Sequence, residues 1–283
     1  MKIRKPYVAN AFYAGTKNEL TDQITSCFTH PFGPGQVPKV VEHGPRRILG
    51  IVSPHAGYQY SGPIAANGYS ELAKDGVPQS FVILGPNHTG YGSGVSTLTE
   101  GSWETPMGLT PLDDELAKKI KSSVSIMDVD EAAHAYEHSI EVQLPFLQFL
   151  FKDAAKFVPI CMMMQDLQTS RDIARGIVEQ SKENDIFIVA SSDFTHYEPQ
   201  DAANRKDKLA IDAIVRLDDA ALNELGESNK VTMCGYGPIT TLIAAAKIIG
   251  GVKAELLTHK TSGDITGDKS AVVGYSSIVF RRQ

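Results

Sequence analysis

The sequence predicts an α/β protein in which helices cover both faces of a central sheet. Short apolar runs alternate along the chain with segments of helical periodicity, the pattern typical of α/β folds. Two of these runs, Phe81–Leu84 and Ile186–Ala190, show little alternation of apolar and polar residues, as expected for strands buried on both faces. The length of 283 residues, 42% of them hydrophobic, suits a sizeable core and leaves one or two domains open.

The predicted elements follow one another along most of the chain. The predicted strands are Arg47–Ser53, Phe81–Leu84, Lys156–Met163, Asp185–Ala190, Ala254–Thr258 and Ala271–Phe280. The predicted helices are Pro63–Lys74, Asp113–Ser122, His138–Phe151, Ser170–Lys182, Ala202–Val215 and Pro238–Ile249. We expect a surface loop at Thr29–Gly44, which is rich in Pro, Gly and His, and a long functional loop at Gly85–Gly108.

Composition argues against several classes of protein. A net charge of -6 and scattered Lys and Arg argue against nucleic-acid binding, which needs a basic face. Cys27, Cys161 and Cys234 are too few and too far apart for a disulfide framework. The sequence shows neither a signal peptide nor a stretch of about 18 apolar residues, so we expect a cytoplasmic protein without a membrane partner. The oligomeric state cannot be predicted.

Polar residues follow three of the predicted strands at the points where they end. His55 comes just after the first strand, His88 just after the second, and Asp193 and His196 after the strand IFIVA. In open α/β sheets, ligands bind in the crevice at the carboxyl ends of the strands. These three strands therefore bring imidazoles to one rim.

A cysteine adds a fourth candidate ligand. Cys234 precedes a predicted helix that has Pro238 in its first turn. A helix N-terminus favours the thiolate, the form that binds metals. With His55 and His88 it makes a donor set that suits Zn, Cu or Fe and leaves positions open for water or substrate, as in a catalytic site. The alternative, loop histidines and a small core cysteine, stays open at this point.

Further residues are predicted around this pocket. His138 is the first residue of a predicted helix. Glu137 or Glu141 beside it would hydrogen-bond a metal-binding residue and orient it; the alternative is that these carboxylates contact only water. Tyr58 and Tyr60 follow His55 and are expected to line the pocket or stack on a substrate. The sequence contains no GxxxxGK[ST], GxGxxG or GxSxG motif, which argues against the common nucleotide sites and a nucleophile elbow.

Together these segments resemble a known family, the Memo family, an archaeal and eukaryotic group that includes the mediator of ErbB2-driven cell motility. The motifs that carry the resemblance occur in order over nearly the whole chain: AFYAG, SPHAGYQYSG, GPNHTGYG, EHSIEVQLPFLQ, SSDFTHY, MCGYGPI and GDKSAVVGYSSIVF. The resemblance implies one domain over residues 1–283. It also implies a three-layer α/β/α fold with a mostly parallel or mixed sheet, similar to the LigB-type extradiol dioxygenases.

The resemblance also implies a metal site. His55, His88 and Cys234 fall where the family holds its metal, and Asp193 and His196 fall on the pocket wall. The dioxygenases use two histidines and a carboxylate on iron, whereas here the third position is Cys234. A thiolate keeps the single negative charge but is softer and more readily oxidised. This departure puts ring-opening dioxygenation in doubt and leaves metal binding intact.

Three functional hypotheses follow. The first is a metal-binding protein, with Fe(II) ahead of Cu or Zn, that carries out redox or oxygenase chemistry on a small molecule, with His196 and Asp193 as catalytic groups. The second is a non-enzymatic module that binds a peptide or a protein segment in the same pocket. The third is a Zn hydrolase in which the same three ligands activate water.

Overall fold

Four parallel strands form the centre of a nine-stranded mixed sheet in this computed structural model, which describes residues 2–283. A second, three-stranded sheet lies beside it. The strands in chain order are β1 (Ile3–Arg4), β2 (Ile48–Ser53), β3 (Ser80–Pro86), β4 (Val95–Thr97), β5 (Ser102–Thr105), β6 (Gly108–Pro111), β7 (Asp128–Val129), β8 (Phe157–Met162), β9 (Ile186–Ser191), β10 (His196–Glu198), β11 (Val252–Thr261) and β12 (Val272–Arg282).

Helices connect most of these strands. They are α1 (Lys17–Thr29), α2 (Tyr58–Asp75), α3 (Asp114–Ser123), α4 (Ala132–Ala135), α5 (Leu144–Phe151), α6 (Leu167–Gln180), α7 (Gln200–Val215), α8 (Asp219–Glu227), α9 (Tyr236–Ile249) and α10 (Ser262–Thr266). Two 3-10 turns, Glu141–Gln143 and Lys152–Ala154, flank α5. Within residues 2–283, none of the helices combines the length and the apolar character that crossing a bilayer requires.

The order of strands in the large sheet is β11-β12-β2-β9-β3-β8-β4-β7, and β10 pairs with the start of β12. Strands β2, β9, β3 and β8 are mutually parallel, whereas β12 runs antiparallel to β2 and β4 antiparallel to β8. The sheet is therefore mixed with a parallel centre, and its parallel strands end at a common edge.

The two faces of the sheet bury different side chains. On β3, Val82 and Leu84 pack into one apolar cluster with residues of α3, α6 and α9. Phe81 and Ile83, which alternate with them, pack into a second cluster with residues of α1, α2 and α5. Because successive side chains of a strand point to opposite faces, a run with no polar residue is what two buried faces require. The predicted three-layer α/β/α architecture is confirmed.

Each predicted strand and helix overlaps an observed one, with two corrections. The helix expected at His138–Phe151 begins later, because residues 138–140 are not helical and a 3-10 turn precedes α5. The buried Glu137 carboxylate accepts the N–H groups of His138 and Ser139, which fixes this segment in another conformation. The expected loop Gly85–Gly108 is interrupted by two short strands, β4 and β5.

Candidate metal centre

The carboxyl ends of β2, β3 and β9 meet at one edge of the sheet and carry the predicted site. In the sheet β9 lies between β2 and β3, so their ends are adjacent. His55 follows β2 by two residues, His88 follows β3 by two, and Asp193 follows β9 by two. The rings of His55 and His88 lie 5.2 Å apart between centres. The crevice expected from the parallel topology is thus present.

His55 is almost fully buried, and its tautomer follows from counting protons. The ring Nδ1 lies 2.8 Å from the hydroxyl oxygen of Ser191. That hydroxyl has one proton, which it donates to the carbonyl of Ser139 at 2.7 Å, and it accepts the amide of Gln143 at 2.8 Å. Nδ1 must therefore carry a hydrogen and donate it to Ser191. This leaves Nε2 with a free lone pair that faces the Sγ atom of Cys234.

The electrostatic surroundings keep His55 neutral. Burial lowers the pKa of His55 well below its usual value, and the nearby positive charges of other histidines lower it further. A neutral imidazole is the form that binds metal ions. His55 is accordingly poised to act as a ligand through Nε2.

His88 is oriented by a buried carboxylate. Its Nδ1 lies 2.9 Å from Oε1 of Glu137, and its main-chain N–H donates to Oε2. Glu137 is fully buried; burial opposes ionisation, but hydrogen bonds and charge from His88 outweigh it and lower the pKa of Glu137 to about 2. Burial likewise disfavours a charged His88, but hydrogen bonds to Cys234 and Glu137 raise its pKa. An ion bound at Nε2 of His88 would displace that proton.

Cys234 lies beside both imidazoles, just before α9. Its Sγ atom is 3.2 Å from Nε2 of His55, and it accepts the main-chain N–H of Asp193 at 3.3 Å. The amide of Gln165 donates to the Cys234 carbonyl at 3.0 Å and holds the turn in place. Burial raises the pKa of the Cys234 thiol, against a smaller opposing effect of its hydrogen bond to His88. That the helix N-terminus favours the thiolate stays a prediction, and burial opposes it.

A third imidazole, His138, joins the cluster. We predicted it around the pocket, and His55, His88 and His138 each offer a nitrogen within 4.8 Å of the others. The ring centre of His138 lies 4.6 Å from that of His88 and 5.4 Å from that of His55. Gly85 permits this approach of the segment to β3, because a side-chain carbon there would meet the Ser139 hydroxyl at 2.4 Å. The three histidines together could hold a metal ion.

Asp193 and His196 lie on the wall of the same cavity. Asp193 accepts the main-chain N–H of His55 at 2.8 Å, and burial raises the pKa of its carboxyl group. Nδ1 of His196 lies 2.8 Å from the carbonyl oxygen of Thr232, which can only accept. His196 is thus a donor at Nδ1, and its Nε2 is the atom available to accept a proton.

The two tyrosines predicted to line the pocket differ in their positions. Tyr58 does not line the pocket; its ring is buried against Tyr13 and Phe146, and its hydroxyl donates to the carbonyl of Val142 at 2.6 Å. It is the first residue of α2, and its side chain points into the apolar layer. Tyr60, two residues later, does line the cavity.

Glu141 is engaged away from the imidazoles. Its carboxylate pairs with the guanidinium of Arg4 at 2.5 Å, accepts the main-chain N–H groups of Tyr7 and Val8, and accepts the hydroxyl of Tyr13. It therefore fastens the N-terminal segment to the chain that carries Glu137 and His138.

The cavity above the cluster has a volume of about 480 Å³. That is within the range of roughly 300–1,000 Å³ of small-molecule sites. Besides the three histidines, its wall includes Phe12, Tyr60, Asp193, His196 and Tyr197. The aromatic residues give it apolar walls over a polar floor.

The donor geometry fits a bound ion. In a tetrahedral complex with metal–nitrogen bonds of about 2.0–2.1 Å, imidazole ring centres lie about 5 Å apart. The three observed separations are 4.6, 5.2 and 5.4 Å. Carboxylate–histidine contacts such as Glu137–His88 are also the usual support of metal ligands.

Sequence reasoning missed the groups that orient the ligands. Gln143, Thr232 and Ser191 have no role in the sequence analysis. Ser191 is fully buried with its hydroxyl occupied by Ser139, Gln143 and His55, so it is a support for the ring. A glutamine within an apolar segment is the one signal that pointed to Gln143, because a buried amide needs partners.

Known proteins resemble this chain over almost its whole length. A model of the Memo-like protein family matches residues 4–279. A MEMO1 family protein of Methanopyrus kandleri is 50% identical over 281 residues, which cover 99% of each chain. Another, from Methanothermobacter thermautotrophicus, is 46% identical over 278 residues, 98% of this chain and 99% of the relative. Among solved structures, an uncharacterized protein of Escherichia coli K12 has a TM-score of 0.54 at 14% identity, covering 82% of this chain and 99% of that one, a likeness of fold alone.

Proposed function

The chain belongs to the Memo-like protein family, and we propose that it binds one metal ion through His55, His88 and Cys234 and uses it in redox chemistry on a small molecule. The observation that carries the proposal is the contact of 3.2 Å between Nε2 of His55 and Sγ of Cys234. The lone pair on Nε2 of His55 and the Cys234 thiol face each other, and the fold does not need this contact. A metal ion would bind between these two atoms.

The donor set narrows the choice of ion. Two imidazoles and a thiolate suit Fe(II), Cu or Zn and disfavour Mg and Ca, which prefer oxygen ligands. Fe(II) leads because the family resemblance points to a non-haem iron pocket. When bound, such an ion supplies Lewis acidity and one-electron chemistry toward a ligand in the cavity.

The residues of the cavity supply positioning and proton transfer. The Thr232 carbonyl accepts Nδ1–H of His196 and fixes its ring. Nε2 of His196 is therefore free to take a proton from a substrate hydroxyl and later return it. The Asp193 carboxylate accepts the main-chain N–H of His55, and the main-chain N–H of Asp193 donates to Sγ of Cys234. Asp193 therefore keeps two of the proposed ligands at a fixed distance from each other. Phe12 and Tyr60 supply apolar walls for a ring or a short chain.

A Zn hydrolase is a second candidate, and the donor set itself favours it. Histidine and cysteine with an open position are the ligands of catalytic zinc sites. The same residues would then lower the pKa of a bound water near His196. Activity restored by Zn(II), and not by Fe(II) under anaerobic conditions, would separate hydrolysis from redox chemistry.

A peptide-binding role is a third candidate. The exposed ring of Tyr197 stands at the wall of the cavity, and tyrosine is among the residues enriched at protein interfaces. A peptide titration that saturates, is blocked by Tyr60→Ala and needs no metal would support this role.

Metal analysis tests the proposal. Protein without an affinity tag is purified anaerobically with reduced thiols, and its metal content is measured. We expect close to one ion per chain, and its loss in the triple variant His55→Ala, His88→Ala, Cys234→Ala. His43→Ala, an exposed histidine away from the cavity, is the control and should keep its metal. A triple variant with undiminished metal would defeat the proposal.

A further inference from the structure

His138 differs from the other two imidazoles in how its ring is held. The ring of His55 is fixed by Ser191 and that of His88 by Glu137. Nδ1 of the His138 ring lies 3.4 Å from Oε1 of Glu137. That oxygen already accepts Nδ1 of His88 and the main-chain N–H groups of His138 and Ser139. Because it has no lone pair left, it cannot fix the His138 ring.

The ring of His138 can nevertheless reach an ion held by the others. Its nitrogen lies within 4.8 Å of the donor atoms of both His55 and His88. Its ring centre is 5.4 Å from that of His55 and 4.6 Å from that of His88. Both distances are near the separation of about 5 Å that a shared tetrahedral ion requires. The ring therefore needs only a small movement to bind.

His138 is also placed so that it can leave. Its side chain is 20% exposed, and it lines the cavity beside Phe12, whose ring centre is 4.8 Å away. The backbone of residues 138–140 is outside any helix, so the side chain is not confined by helical neighbours. A rotation away from the ion moves the ring into the cavity and breaks no side-chain hydrogen bond within the described residues.

We propose that His138 is a displaceable metal ligand. It completes the coordination of the ion beside His55, His88 and Cys234 while the cavity is empty, and it gives way when a small ligand with two oxygen donors enters. The inference rests on the proposed metal function and adds the way in which the site opens. A closed resting site protects Cys234 and the ion from oxidants until a chelating ligand arrives.

Cobalt(II) spectroscopy tests this role because visible Co(II) bands weaken as the coordination number rises above four. Co(II)-loaded wild type should give intense visible bands and a thiolate charge-transfer band from Cys234. His138→Ala should keep one Co(II) and the charge-transfer band. Because water molecules that enter in place of the ring raise the coordination number above four, its visible bands should be several-fold weaker. Free imidazole should restore them. His138→Gln is a second variant of similar size, and His43→Ala, an exposed histidine away from the cavity, is the matched control, whose spectrum should equal that of wild type.

Oxalate, a dianion with two oxygen donors, tests displacement directly. Because it must compete with His138 in wild type, oxalate should bind Co(II)-loaded His138→Ala more tightly than wild type or His43→Ala. Visible bands and oxalate affinity that are the same in wild type and both His138 variants would overturn the inference while metal binding stands. A wild type that takes up no ion would overturn the proposed function and with it this inference.

Discussion

The guanidinium of Arg4 donates from Nη2 to the main-chain carbonyl of Glu137 at 2.7 Å. Arg4 comes from the short strand β1, and Glu137 is the residue that orients His88. The same guanidinium donates to the carbonyl of His134 and pairs with Glu141. One buried side chain at the start of the chain thus holds the segment that carries two of the residues around the candidate ion.

Replacement of Arg4 by alanine should lower stability strongly. The side chains of Arg4 and Glu141 are 8% and 0% exposed, so the variant leaves a buried carboxylate without its cation. Breaking such a pair costs about 3–5 kcal/mol of unfolding free energy. Urea denaturation measures the loss. The double variant Arg4→Met, Glu141→Gln should recover part of it, and a loss under about 1 kcal/mol in the single variant would contradict a structural role for the pair.

Replacement of Glu137 by glutamine should weaken metal binding without removing a ligand. The amide keeps the size of the side chain but cannot accept at both positions, so Nδ1 of His88 or a main-chain N–H loses its partner. Loss of such a support costs roughly 10–100-fold in metal affinity. Isothermal titration with Zn(II) measures it. Glu131→Gln, an exposed carboxylate nearby, should bind as wild type does, and equal affinities for both variants would show that His88 needs no carboxylate.

The fold was largely predictable because buried parallel strands leave a strong signal. The runs FVIL and IFIVA carry no polar residue, and each became a central strand with both faces covered. Helices α1 and α8 were not predicted, although Thr16 and Asp218 accept main-chain N–H groups at their N-termini. In α1 the apolar residues Leu20, Ile24, Cys27 and Phe28 recur at helical spacing, so this helix could have been predicted. The buried face of α8 includes Asp219 and Asn223, and tertiary packing decides such a case.

The site was predictable only in part, for a different reason. The positions of His55, His88 and Asp193 follow from strand ends, which are local features of the sequence. The closeness of Cys234 and the inclusion of His138 depend on contacts between segments more than 40 residues apart, such as that of Cys234 with Asp193. Tyr58 and Tyr60 have the same chemistry and close positions, but the start of α2 turns one inward and the other to the cavity.

Asp207 should make stability depend on pH in the acidic range. Its side chain is fully buried and holds the N–H of Thr195, and burial raises its pKa to about 6 against opposing hydrogen bonds from Thr195 and the charge of His196. The unfolded value is about 4, so the native state binds more protons between these values. The contribution of Asp207 therefore falls as pH rises from about 4 to about 6 and is lost above that.

The variant Asp207→Asn removes this titration. Its unfolding free energy relative to wild type should rise as the pH increases from about 4 to about 6, and then stay level. Urea denaturation at several pH values measures the difference. Asp212→Asn, a more exposed carboxylate on the same helix, is the control and should show no such rise. A difference for Asp207→Asn that does not vary with pH would mean that the carboxyl group titrates normally.

Replacement of Ser191 by alanine should loosen His55 while leaving all candidate ligands present. The variant removes the acceptor for Nδ1 of His55 and the donor to the Ser139 carbonyl, in a fully buried position. Without that bond, the proton of the His55 ring is no longer confined to Nδ1 and can also sit on Nε2, the atom that faces Cys234. Metal affinity should therefore fall roughly 10–100-fold. Competition with a coloured chelator measures the affinity, and ¹⁵N NMR of the imidazole reports the tautomer directly.

Ser122→Ala, at an exposed hydroxyl on α3, is the control. If Ser191→Ala binds metal as wild type does and His55 keeps its Nδ1–H form, Ser191 is not what fixes the ring of His55. An Nε2–H form of His55 in the wild type would show that the proton count that assigns Nε2 as the ligand atom is wrong.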